Sequence, residues 1–306
     1  MPKPTCIELP GHAPMPILFE DRSVLALDKP AGWMLVPFTW QKTNRNLQAA
    51  ITSSIGAGHF WARSRMLRFL KHIHRLDADT TGILLFAKSP GALQSLGELF
   101  ETRRMEKIYL AVTRHPPPAT AWTCRAPLAP DPRQIGRVCV DRHGKEAETH
   151  FRVLASHGGL HLLEARPRTG RTHQIRVHLA EAKCPILGDD LYAERTDEPL
   201  ALRAVGLAYH DPFTRREVAI RAPREAFLAA HGFARETYRL DFESLPMNRS
   251  AEHRSARTTS EPRGAMLRAP VRGLEARTLT RGILTPDAQP TSAASPRPPR
   301  ENPRSR

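Results

Sequence analysis

Apolar residues in this chain fall in short runs, broken by turns rich in Pro, Gly and Asp. Val24-Leu25-Ala26-Leu27 predicts a strand, and Asp28-Lys29-Pro30-Ala31-Gly32 a turn in which Pro and Gly fix the backbone. Trp33 to Val36 resumes an apolar run, and residues 44–56 carry helical spacing that ends at Gly56 and Gly58. Ile83 to Ala87, bounded by Gly82 and by Ser89-Pro90, predicts a buried strand. Leu93, Leu96, Leu99 and Phe100 form the apolar stripe of a helix over 91–105. Residues 106–113 predict a strand with Lys107 and Tyr109 on one face, opposite Ile108 and Leu110. Residues 144–154 alternate like a half-buried strand, and 160–165 pair with it in a meander. A helix is expected from about Thr172 as N-cap, with Ile175 and Leu179 facing the core and His173 and Arg176 sharing another face. Leu202–His210 and Glu217–Ile220 predict a closing hairpin.

These strands come in runs and not in a strict strand–helix–strand rhythm. The expected fold class is therefore α+β, with a mixed, mainly antiparallel sheet and flanking helices, rather than a Rossmann sheet. The chain divides into three segments: an irregular Pro-rich extension over 1–15, a globular domain over 16–246, and a tail over 247–306. Within the domain, residues 114–135 predict a long Pro-rich connection in which Trp122 and Cys124 mark some order. The tail holds twelve Arg, no Lys, five acids, eight Pro and no Phe, Tyr or Trp, a composition that cannot bury enough apolar surface to fold. It is expected to be a disordered basic arm adding salt-sensitive affinity for RNA, or a dispensable extension.

Net charge changes the picture most. Lys and Arg total 46 against 31 Asp and Glu, giving +15, so a polyanionic partner is expected. RNA, DNA and an anionic membrane surface are all open as that partner, but no apolar run is long enough to span a bilayer and the N-terminus has no apolar signal core, so a cytoplasmic protein with no membrane span is expected. Cys6, Cys124, Cys139 and Cys184 have neither zinc nor disulfide spacing. There is no phosphate-cradling Gly loop and no GxSxG elbow.

Three stretches carry candidate chemistry. Residues 59–73 interleave Phe60, Trp61 and Phe69 with Arg63, Arg65, Arg68 and Lys71, which suits either nucleic-acid binding or an amphipathic basic helix. Residues 71–90 place Asp77 beside Arg75 on a tight turn against a core strand; alone, Asp77 and Asp79 could simply serve the turn. Residues 167–180 gather three arginines and two histidines around a helix start, a ready anion site.

His74-Arg75-Leu76-Asp77-Ala78-Asp79-Thr80-Thr81-Gly82 resembles the HRLDxxTSG signature of RluA-type pseudouridine synthases. Four further segments resemble the same family in the same order: Asp28 to Gly32 its NKPxG turn, Lys107 to Ala111 its KxYxA strand, Gly144 to Thr149 its GKxAxT strand, and Thr169 to His178 with Gly188-Asp189 its TGRTHQIRVH…GD segment. Thr81 replaces the usual Ser, Ala193 a common Gly, and Lys183-Cys184 a Gly-containing approach to Pro-Ile. With fewer than twenty residues before the first core strand, no S4-type RNA-binding domain is expected.

The resemblance implies the pseudouridine synthase fold with a central RNA-binding cleft. It also implies an isomerase that converts uridine to pseudouridine in structured RNA, ribosomal or transfer, without metal or cofactor. Asp77 matches the family's catalytic aspartate, Arg176 the arginine paired with it, and Tyr109 the tyrosine stacked on the target base and placed to help proton removal from C5. Arg75 matches the arginine that holds the flipped nucleotide's place, and His74 and Thr80 belong to the same substrate-side signature. From charge and position, Arg171 and His173 are expected to contact phosphate. A monomer is expected, since RNA must reach an open cleft. Alternatives are a catalytically silent RNA-binding protein of the same fold, a glycoside hydrolase using Asp77 and Asp79, and a basic DNA- or membrane-surface protein.

Overall fold

The computed structural model describes residues 2–35 and 45–233. Val36, residues 234–246 of the expected domain and the tail at 247–306 lie outside the described residues.

The chain opens with strands β1 (Cys6–Ile7), β2 (Met15–Glu20) and β3 (Val24–Lys29). Helices α1 (Leu47–Gly56) and α2 (Phe60–Arg63) come next, then β4 (Lys71–His72) and β5 (Thr81–Ala87). Helix α3 (Pro90–Glu101) leads to β6 (Glu106–Thr113) and β7 (Ala121–Cys124). A small hairpin, β8 (Leu128–Pro130) and β9 (Val138–Val140), precedes β10 (Thr149–His157), β11 (Leu160–Pro167) and α4 (Gln174–Glu181). Strands β12 (Leu202–His210) and β13 (Glu217–Arg221) and helix α5 (Glu225–Ala230) complete it.

One sheet runs in the order β1-β2-β3-β5-β12-β6-β11-β10-β7, with β4 beside β5 and β13 beside β12; β8 and β9 pair separately. Among the named strands the β5–β12 pairing is parallel and the rest antiparallel, so the sheet is mixed and mainly antiparallel as expected. β5 lies inside the sheet, and Ile83 to Ala87 are buried, which explains an apolar run without alternation. Truncating Leu84 to Ala here would cost about 2–5 kcal/mol. The parallel seam demands Gly82: its φ is +104°, and a Cβ would run into the Ala204 carbonyl.

Local chemistry sets the helix starts. The Asn46 and Ser89 side chains accept from Ala49 N–H and Ala92 N–H, each at 3.1 Å, as N-caps of α1 and α3.

Several expectations needed correction. The extension over 1–15 is not wholly irregular, because Cys6–Ile7 pairs with Met15–Pro16. The Pro-rich connection contains β7, held by β10, and β8. The strand expected from residue 144 starts at Thr149. Gly144 instead packs so closely on the Leu128 backbone that a Cβ there would stand 2.6 Å from it. Residues 59–73 hold one helical turn, α2, and the short strand β4, and not a basic helix: Trp61 is buried with its Nε1 donating to Ser54 Oγ at 2.9 Å, and Arg65 is tied to Glu20 at 2.8 Å. The helix expected from Thr172 starts at Gln174, because His173 adopts a left-handed φ of +54° and makes no side-chain cap.

Candidate active site

The turn after β4 ends in Asp77, and two sets of bonds fix the residues immediately after that carboxylate. Lys29, fully buried at the end of β3, donates from Nζ to the carbonyls of Pro30 (2.9 Å), Ala78 (2.6 Å) and Thr80 (2.9 Å). Gly32 N–H donates to the same Ala78 carbonyl at 2.9 Å. The Asp28–Gly32 turn thus clamps the loop carrying Asp77 into β5. Burial drives the Lys29 ammonium down to about 8, with Asp79 and Asp77 opposing the shift.

The opposite wall comes from α4 and the segment after it. Arg176 is 4 % exposed, and its Nε and one terminal nitrogen reach the two oxygens of buried Asp189 at 2.8 and 2.7 Å. Asp189 also accepts from the N–H groups of Leu191 and Tyr192, each at 3.1 Å. Burial opposes charge on Arg176, but the two bonds to Asp189, aided by Asp77, outweigh it and push the guanidinium upward. The other terminal nitrogen of Arg176 lies 3.5 Å from Asp77 Oδ2. A fixed cation therefore faces a carboxylate whose side chain keeps 24 % of its surface open.

His173 stands beside this pair, with Nε2 3.9 Å from Asp77 Oδ1 and Nδ1 2.9 Å from the Tyr192 hydroxyl. Burial is the largest effect on its imidazole and lowers its pKa, so the ring is neutral near pH 7. The Tyr192 hydroxyl accepts from Val138 N–H at 2.9 Å, which leaves its own proton for His173 Nδ1. That arrangement puts the ring proton on Nε2, facing Asp77. Tyr109 enters from β6, where its cross-strand neighbours are Ala165 and Ala204, both small, so the ring keeps room in the cleft. Burial, then the Asp77 charge, pushes the phenol pKa up and keeps it neutral.

Asp77, Tyr109, Arg176 and His173 line one cleft of about 750 Å³. A model of the family described as RNA pseudouridylate synthase matches residues 23–181. The chain belongs to that family. It is 36 % identical over 222 residues to ribosomal large subunit pseudouridine synthase C of Salmonella typhimurium, covering 68 % of this chain and 66 % of that protein. It is 33 % identical over 219 residues to an uncharacterized RNA pseudouridine synthase of Bacillus subtilis, with 70 % of each covered. A relative from Chloroflexus aurantiacus is 46 % identical over 123 residues, 40 % of this chain and 39 % of that protein. Among solved structures, human RNA pseudouridylate synthase domain containing 4 matches with a TM-score of 0.57 at 26 % identity, over 73 % of this chain and 94 % of that one.

The other signature residues of this pseudouridylate synthase domain divide by position. Arg75 is exposed at the rim and reaches Thr172 Oγ1 at 3.3 Å. Arg171 is also exposed, its Nε bound to the Glu146 carbonyl at 2.9 Å. His74, expected on the RNA side, lines the cleft too; its Nε2 accepts from Leu85 N–H at 3.1 Å, the ring stacks on Phe100, and burial drives its pKa to about 3. It anchors the turn to β5. Thr80 lines the cleft wall, but its hydroxyl is buried and finds no hydrogen-bond partner among the described residues.

Sequence reasoning gave no role to Lys29, Asp189, Gln174 or Tyr192. Gln174 staples the Thr169–Arg171 turn to residues 148–149 through bonds of 2.6–3.0 Å to Thr169, Arg171, Glu148 and Thr149. The signal for Lys29, Gln174 and Asp189 was membership of the quoted motifs, and Tyr192 lies three residues beyond the last of them. Among the described residues no group of three or more His, Cys, Asp or Glu is arranged to hold a metal ion.

Proposed function

We propose that this protein isomerises uridine to pseudouridine in structured RNA, with Asp77 as the nucleophile. The observation that carries this is an accessible carboxylate held 3.5 Å from a buried, Asp189-locked guanidinium in the cleft that Tyr109 also lines. The N1–C1′ bond breaks, the uracil turns, C5 bonds to C1′, and the C5 proton leaves as N1 gains one. Nothing is added or removed overall. A carboxylate can take the sugar carbon while the base is detached. Arg176 holds Asp77 in place. The neutral Tyr109 phenol offers a stacking face and a polar tip for the base. The target must be flipped out of its helix, at a cost of a few kcal/mol, and Arg75 and Arg171 stand at the rim to hold the opened strand.

The relative from Salmonella is named for the large ribosomal subunit, which favours ribosomal RNA over transfer RNA as the substrate. We propose a monomer acting on ribosomal RNA. The competing reading is a catalytically silent RNA-binding protein of the same fold; the presence of Asp77, Tyr109 and Arg176 in one cleft favours the enzyme.

The test is carbodiimide mapping with primer extension on ribosomal and transfer RNA from cells lacking this gene, treated with wild type or Asp77→Asn. New stops with wild type alone, and loss of at least about 1000-fold in rate for the variant, are expected. Folded, RNA-binding wild type that gives no stop in either pool would leave the silent reading.

A further inference from the structure

Lys107 is a half-buried lysine that lines the cleft, two residues before Tyr109 on β6. An ammonium carries three donors. The Nζ of Lys107 uses one, to the Thr169 carbonyl at 2.8 Å. Among the described residues no carboxylate lies within ion-pair distance of it, and the charge that acts on it most is another cation, Arg168. A half-buried charge with spare donors and no counter-ion is costly to keep unless a ligand supplies the anion. The approach is open: residue 170 is an exposed glycine, and a Cβ there would stand 3.8 Å from Nζ. Lys29 supplies the contrast, since its Nζ meets three carbonyls.

We infer that Lys107 Nζ, beneath the Gly170 turn, binds a backbone phosphate of the RNA strand that carries the flipped nucleotide. The inference rests on the RNA substrate proposed above. A phosphodiester oxygen suits the position, because it accepts a charge-assisted hydrogen bond from the ammonium and brings the missing negative charge. The Thr169 carbonyl keeps the ammonium aimed into the cleft, so Lys107 meets the phosphate preorganised and not as a floppy surface lysine.

The measurement is equilibrium binding of a modified-site RNA hairpin over about 50 to 300 mM KCl, with single-turnover rates at saturating RNA. Four proteins are compared: wild type, Lys107→Met, Lys107→Gln and Lys107→Arg, each checked for its urea midpoint. Each phosphate contact adds about 0.7 to 0.9 to the slope of log affinity against log salt. Lys107→Met and Lys107→Gln should lose that one increment and bind on the order of 10-fold more weakly at low salt. Their saturated rates should stay within about 3-fold of wild type. Lys107→Arg should retain the slope. Gln keeps a donor for Thr169, so a purely structural role would leave its slope unchanged. An unchanged slope in folded Met and Gln variants overturns the inference, as does loss of rate without loss of affinity, which would place Lys107 on the base. Wild type that modifies no RNA overturns the parent reading as well; wild type that modifies RNA beside an unchanged slope overturns this inference alone.

Discussion

Lys29 lies under the Asp77 turn and Lys107 lines the cleft beside Tyr109, and burial drives each ammonium down to about 8. By that shift alone the two would be indistinguishable. Their hydrogen bonds separate them: Lys29 gives three to main-chain carbonyls, and Lys107 gives one. A desolvated cation that is fully satisfied holds a backbone in place. One that is under-satisfied is waiting for something. Counting spare donors, not the size of the pKa shift, sorts structural lysines from binding ones.

The most damaging way to probe that contrast is Lys29→Met. It orphans the Pro30 and Thr80 carbonyls, at about 1–3 kcal/mol each, and leaves Ala78 with the Gly32 N–H alone, offset in part by release of a desolvated charge. A net loss of about 3 kcal/mol in urea denaturation is expected, together with reduced activity of the folded fraction, since Ala78 and Thr80 come just after Asp77. Stability lost by less than about 1 kcal/mol would mean that those carbonyls find other partners. Lys107→Met should behave oppositely, shifting stability by less than about 1 kcal/mol while weakening RNA binding.

Their pH dependence sharpens the point. The folded pKa of Lys107 lies below its ordinary 10.5, at about 8. Between those values the unfolded chain binds more protons than the folded one, so folding gains stability as pH rises through that window. That contribution is present above 10.5 and lost as pH falls through about 8. Lys107→Met lacks it. Urea midpoints taken from pH 8 to 10.5 should therefore rise more for wild type than for the variant. Parallel curves would show that Lys107 is not penalised in the fold. The smallest effect is expected from Gly170→Ala, whose methyl meets Nζ at ordinary contact distance. Unfolding should be unchanged within about 0.5 kcal/mol, and RNA affinity should fall about 2-fold by partial screening.

The apolar run of β5 and the stripe of α3 were legible in sequence because each is a local pattern. So was the pairing of Asp77 with Arg176, though only through the family resemblance, since 99 residues separate the two in the chain. What stayed hidden depended on long-range partners. Lys29 meets Ala78 and Thr80 49 and 51 residues away, and no local periodicity announces a lysine bound to carbonyls. Strand β7 sits in a Pro-rich stretch and exists because β10 pairs with it. His74 reads as a substrate residue beside Arg75, yet its Nε2 is taken by the Leu85 N–H. The Thr172 N-cap was displaced by one residue because His173 takes a left-handed turn to face Asp77 and Tyr192.

The position of β12 has a consequence for synthesis on the ribosome. Residues 202–210 lie between β5 and β6 in the sheet, although both of those strands are made some ninety residues or more earlier. A nascent chain that has emerged only as far as Leu200 already carries Asp77, Tyr109 and Arg176, but not the strand that joins β5 to β6. Its two halves can each gather local structure, while the seam at Gly82 and Ala204 stays open. Assembly must wait for this late strand to insert, a non-local step of the kind that folds slowly. A half-made chain therefore cannot close a working cleft on RNA before its central strand arrives.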